Sequence, residues 1–220
     1  SGGESYEIPH TDDMLLPEGT VTLAFNADVP GNGNTQALYS KDHTGKGEGG
    51  HLTIYLDGAG RVNVRYQDED SEVKLRSDEK VEAGEDNHIA FSFDEDGTKL
   101  YLNGEVVAEG EGWDGGMTGN SEDIAVGAST MSRNGDNDNL QHHFAGDIEN
   151  VLMFDRPLED IEAVFLAEGD GEVEALFPLY EDYEAPEEEE QEEEQEEEHE
   201  EEQEEEQEEE QEEEEEEEEE

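Results

Sequence analysis

From residue 20 onward apolar and polar side chains alternate with a period of two, the pattern of strands that bury one face. Val21, Leu23 and Phe25 alternate with Thr22, Ala24 and Asn26. Leu52, Ile54 and Leu56 alternate with Thr53 and Tyr55, and Val62 and Val64 with Asn63 and Arg65. Val73 and Leu75, then Ile89, Phe91 and Phe93, then Leu100 and Leu102, Val106 and Val107, and Ile124 and Val126 continue the series. The separators are turn residues: Asp57-Gly58-Ala59-Gly60, Asp94-Glu95-Asp96-Gly97 and Asn103-Gly104. Asn-Gly is the strongest short hairpin signal, because both residues tolerate positive φ. Roughly ten short strands so spaced predict a β-sandwich or barrel. The period changes to helical only near residues 157–167. Pro157 suits a first turn, Leu158, Ile161, Phe165 and Leu166 form an apolar face, and Gly169 follows the end.

The ends break the pattern. Residues 1–18 form a polar lead-in with one apolar cluster, Met14-Leu15-Leu16. Val173, Leu176, Phe177, Leu179 and Tyr180 predict a closing strand. Residues 187–220 contain 28 Glu, five Gln and His199, with no aliphatic or aromatic residue. Repulsion between glutamates at i and i+4, unrelieved by Lys, predicts an extended acidic tail. The expected organisation is lead-in 1–18, sandwich 19–180 and tail 181–220.

Charge narrows the partners. The chain of 220 residues carries a formal −60, and the part before the tail still carries −32 with only ten Lys and Arg. Such a surface excludes nucleic acid and anionic membranes as targets and favours basic partners or divalent cations, the tail included. No apolar run approaches the ~20 residues of a membrane-spanning helix. Cysteine is absent, so redox compartment is open. The chain opens Ser1-Gly2-Gly3 without Met, which reads as a processed product or a domain of something longer.

Three hairpins and one closing motif then resemble a known family, the LamG-like jelly-roll or concanavalin A-like lectin/glucanase domains. Phe144-Ala145-Gly146-Asp147-Ile148-Glu149-Asn150-Val151-Leu152-Met153-Phe154-Asp155-Arg156-Pro157-Leu158 resembles the family's closing F-x-G-x-I-D-x-V-x-I-Y-x-R-x-L. His51–Val62, His88–Asp94 with Leu100–Ala108, and Asp123–Ala128 resemble its earlier strand pairs in the same order. Asn87 stands where the family usually has Trp, which removes a large buried ring. The resemblance covers about residues 19–167. It implies an all-β, two-sheet antiparallel jelly-roll sandwich with one short helix. It further implies a non-catalytic extracellular or cell-surface adhesion module, recognising glycan or protein at a loop rim. Alternatives are a glycan-active enzyme domain or a structural spacer in a large adhesin or virion-associated protein. The enzyme reading lacks its E-x-D-x-x-E strand, which would set acid and nucleophile on one face.

Candidate site residues follow from oxygen and aromatic chemistry. Asn134, Asp136 and Asp138 alternate in one loop, a spacing that lets oxygens converge on Ca²⁺. This is no EF-hand, since Asn139 and Ala145 occupy the sixth and twelfth positions. The family resemblance also places a rim calcium there. Asp28, at the end of the first long strand, and Asp42, in the glycine-rich loop that follows, are further calcium candidates. Trp113, Tyr55, His51 and Arg65 are the expected ligand-binding residues, an aromatic and hydrogen-bonding set suited to sugars. His142 and His143 are adjacent, so on a strand they point to opposite faces and predict no zinc.

Overall fold

The computed structural model describes residues 4–43, 49–131 and 139–179, and residues 1–179 form one compact unit. Two antiparallel sheets face each other. The first has six strands: β1 (Tyr6–Ile8), β3 (Gln36–Lys41), β4 (His51–Leu56), β5 (Val62–Gln67), β6 (Glu72–Arg76) and β10 (Ile124–Val126), in the order β1-β10-β3-β4-β5-β6. The second has five: β2 (Gly19–Ala27), β7 (Asp86–Phe93), β8 (Thr98–Leu102), β9 (Glu105–Gly110) and β11 (Gly146–Phe154), in the order β11-β2-β7-β8-β9. This is the all-β jelly-roll sandwich that the alternation and the motifs predict.

The predicted inward residues make the core. Val21, Leu23, Phe25, Leu52, Ile54, Leu56, Ile89, Phe91 and Phe93 are all buried in one cluster. Tyr66 anchors an aromatic group, with ring centroids 5.6 Å from Phe91, 5.3 Å from Phe93 and 4.3 Å from Trp113. Asn87 leaves that cluster intact without the family's ring: its amide is held by the Glu85 carbonyl and by Asn103 instead. Asn103 and Gly104 both have positive φ, 53° and 82°, the paired left-handed geometry of a two-residue hairpin. Gly50 explains part of the glycine-rich stretch. A Cβ there would lie 2.4 Å from the Tyr66 ring, so only glycine lets the backbone pack on the core.

Several elements differ from expectation. Residues 6–8 of the lead-in are a strand, β1, paired to β10 through Glu7 and Ala125, and Leu16 is buried in the core. Residues 173–179 are a 3-10 helix, not a closing strand. Leu176 packs instead with Leu158, Ala163 and Leu166 under the helix α1 (Asp160–Glu168). That helix begins three residues after Pro157. Its Glu162 accepts a forked pair from Arg156 (2.7 and 2.6 Å) and the Glu159 amide (2.8 Å), fixing the entry to the helix. Leu158 and Leu166 are buried on the outer face of the five-stranded sheet with Ala90 and Tyr101, whereas Ile161 is exposed.

Candidate functional site

On the outer face of the six-stranded sheet, strand register aligns polar side chains in three ranks. Ser40, Thr53, Arg65 and Lys74 are successive cross-strand partners; so are Ala37, Tyr55, Asn63 and Arg76; so are His51, Gln67 and Glu72. Because side chains alternate, these are the residues opposite the buried Leu52, Ile54, Val64 and Leu75. Arg65, Lys74 and Arg76 thus bring three of the chain's ten Lys and Arg to one face of an otherwise acidic protein.

A buried carboxylate organises one end. Asp42 is fully buried just past β3. Its Oδ2 accepts the Thr53 hydroxyl at 2.8 Å and lies 3.4 Å from the Arg65 Nη2. Its Oδ1 accepts the His43 amide at 2.8 Å and lies 3.9 Å from the His51 Nδ1. The His43 and His51 rings are in contact at 4.3 Å between centroids. Ser40, Thr53 and Thr130 share hydroxyl hydrogen bonds beside it, at 3.1 and 2.8 Å. This network holds the Arg65 guanidinium, which is 16% exposed, with its buried Nε making no hydrogen bond. The other end is more open: Tyr55 is half-buried, and Lys74 and Arg76 are exposed. Burial holds the Tyr55 phenol above its ordinary range, so it stays a neutral donor. Lys74 pairs with Glu72 at 2.7 Å on the surface.

The structure therefore gathers four of the predicted residues, Asp42, His51, Tyr55 and Arg65, on one face. Asp42 serves there as the partner of Arg65 and Thr53. Asp28 is exposed at the end of β2, in the other sheet. Trp113 is buried against Tyr66 in the core, so no face of its ring is open to a sugar. The residues 132–138, and with them Asn134, Asp136 and Asp138, lie outside the described residues. Among the described residues, no three His, Asp or Glu side chains are grouped to hold a metal. Sequence reasoning missed Lys74 and Arg76. Their signal was present: they alternate with Val73 and Leu75 just as Arg65 alternates with Val64 and Tyr66.

The chain belongs to the concanavalin A-like lectin/glucanases superfamily, whose sequence model matches residues 1–163. Among solved structures it is similar to the sialidase CBM40 of Ruminococcus gnavus bound to α2,3-sialyllactose. There the identity is 18% and the TM-score 0.58, over 76% of this chain and 98% of that one. It is also similar to domain 4 of the extracellular arabinanase AbnA of Geobacillus stearothermophilus in complex with arabinotriose. That match has 17% identity and TM-score 0.56, over 74% and 72% of the two chains. A putative carbohydrate binding protein of Bacteroides ovatus matches at 14% identity and TM-score 0.55, over 74% and 44%. No curated protein matches the chain. No helix among the described residues is long and apolar enough to cross a membrane.

Proposed function

We propose that this domain is a non-catalytic glycan-binding module of an extracellular or cell-surface protein. The ligand-binding face is the outer face of the six-stranded sheet, and the ligand is a sugar bearing a carboxylate or sulfate. The observation that carries this reading is the grouping of Arg65, Lys74 and Arg76 on adjacent strands of a surface that is elsewhere strongly acidic. A guanidinium held by a buried carboxylate is preorganised to meet an anion in two-point fashion. Tyr55 beside it supplies an apolar ring with a neutral hydroxyl, the combination that packs on a sugar ring and bonds its hydroxyls. The similarity to sugar-binding domains of sialidase and arabinanase chains supports the same reading.

Calcium belongs to the proposal through the spacing of Asn134, Asp136 and Asp138, which suits a hard cation. The test is a glycan array of neutral, uronate-, sialate- and sulfate-bearing sugars, with calcium and with chelator, followed by titration calorimetry on the hits. Anionic sugars should bind, and Arg76→Ala should weaken them by about tenfold, the cost of one good charged contact. Preference for neutral sugars, or binding indifferent to Arg76→Ala, overturns the assignment of this face. Asp136→Ala with Asp138→Ala should remove any stabilisation by calcium; a calcium response that survives both changes places the ion elsewhere.

A further inference from the structure

The five-stranded sheet carries a cavity on its own outer face, with a volume of about 510 Å³. It opens between β2, β7, β11 and the end of α1. Asp86, Asp147, Glu149, Glu168 and Asp170 stand around it, all exposed, and no Lys or Arg lines it. In so acidic a protein, five carboxylates alone would mean only a solvated face.

His88 supplies the second observation. It lines the same cavity, is 2% exposed, and neither its Nδ1 nor its Nε2 has a hydrogen-bond partner. A buried imidazole with both nitrogens idle forfeits the bonds it made to water in the unfolded chain, so a native structure rarely keeps one without a use. Gly171, in the turn after α1, comes so close that a Cβ there would lie 3.2 Å from the His88 Cδ2. The turn therefore packs against the ring's carbon edge. The rest of the lining joins an apolar wall, from Ala24, Phe25, Val164 and Ala167, to the amide side chains of Asn26, Asn87 and Asn103.

We propose that this cavity is a binding site for an aliphatic polyamine. The ligand's ammonium groups meet the rim carboxylates, its methylenes lie on the apolar wall, and one ammonium N–H donates to the unprotonated nitrogen of His88. Burial lowers His88 to about 4, so the ring is neutral at physiological pH and keeps that acceptor. A metal ion is the poorer fit. Coordination needs several oxygens or nitrogens converging within a few ångströms, and no three such groups among the described residues do so. Carboxylates spread around a trough with one apolar wall match charges spread along an alkyl chain. The site is on the opposite sheet from the glycan face and does not depend on it.

The test uses the full chain with ¹⁵N-histidine labelling and spermidine as probe, at fixed ionic strength. The glutamate tail also attracts spermidine, so the readout must be local: the His88 ring-nitrogen resonances, assigned by loss of their signal in His88→Phe. Spermidine should shift them saturably. Asp147→Asn with Glu149→Gln, both exposed and checked by thermal melt, should weaken that response by about tenfold, roughly threefold for each exposed carboxylate lost. A His88 signal that does not move at millimolar spermidine overturns the proposal. So does an equal shift with magnesium at the same charge concentration, or one that survives the double change.

Discussion

The outer faces of the two sheets begin from the same alternation and arrive at opposite chemistry. On the six-stranded sheet, Arg65 is tied to a fully buried Asp42 and shares its face with Lys74 and Arg76. On the five-stranded sheet, β8 presents Lys99, paired with Asp160 near the start of α1 at 2.9 Å, with both side chains well exposed. The rest of that face is closed by α1 through Ala90, Tyr101, Leu158 and Leu166, or lined by carboxylates around His88. Period-two patterning decides which residues face inward. What the outward residues meet is decided by the segments laid over them, here an α-helix on one sheet and the Asp42 and Thr130 segments on the other. That covering turns one ion pair into a buried scaffold and leaves the other a surface contact.

The largest effect should come from breaking the buried pair. Arg65→Met keeps the length and apolar stem but leaves Asp42 with the Thr53 hydroxyl, the His43 amide and the His51 ring 3.9 Å away. Removing one partner of a buried pair costs about 3–5 kcal/mol, and the 16% exposure of Arg65 favours the lower end. Urea denaturation of the full chain measures it. A loss below about 1 kcal/mol would mean that Asp42 needs no cation and that the contrast between the faces is false.

Trp113→Ala should cost a similar amount, about 3–5 kcal/mol, because the ring fills the core beside Tyr66. This prediction also marks how far sequence could be read. The hairpin at Asn103-Gly104 and the helix after Pro157 were legible because each is specified locally, by turn chemistry and by the first-turn proline. His51, Tyr55 and Arg65 were legible as candidates because strand alternation puts them on one side, whereas Asp42 was legible only as a loop carboxylate suited to calcium and its role as a partner for Arg65 was not. The three-residue β1 was not legible, since its strand character comes from pairing with β10, over a hundred residues away. Nor was the burial of Trp113: it sits in Glu111-Gly112-Trp113-Asp114-Gly115-Gly116, where no periodicity says which way a side chain turns. Residues 173–179 carried apolar content without a clear period, and packing under α1 chose a 3-10 helix.

Acid should separate the faces next, with an effect of up to about 3 kcal/mol. His88 titrates near 6.5 in the unfolded chain and at about 4 when buried. The unfolded state therefore binds the proton first, and the stability this neutral ring contributes is present above pH 6.5 and lost as pH falls towards about 4. Other groups of so acidic a chain change protonation across the same range, so the comparison must be with a variant. His88→Phe should flatten the pH dependence between 6.5 and 4 relative to the unaltered chain. Parallel curves would show that His88 finds a partner in solution, and would remove the idle imidazole on which the cavity's assignment rests.

The smallest effect closes the comparison. Lys99→Met repeats the lead substitution on the other face, removing a cation that is 40% exposed from a carboxylate that is 66% exposed. The Asp160 hydrogen bond to Lys99 holds its carboxyl below the usual range, with the Tyr101 hydroxyl helping, but solvent screens most of that interaction. Exposed pairs are worth about 0–1 kcal/mol, and Asp160 keeps the Tyr101 hydroxyl at 2.9 Å when Lys99 is gone. Denaturation midpoints for Lys99→Met should therefore fall within that range and converge on the unaltered chain as salt is raised. The Arg65→Met deficit should persist in the same salt series, because screening ions do not enter a buried pair. A salt-insensitive loss at Lys99 as large as that at Arg65 would mean that α1 buries the Asp160 contact as effectively as the other sheet buries Asp42. The two faces would then differ in sign of charge alone.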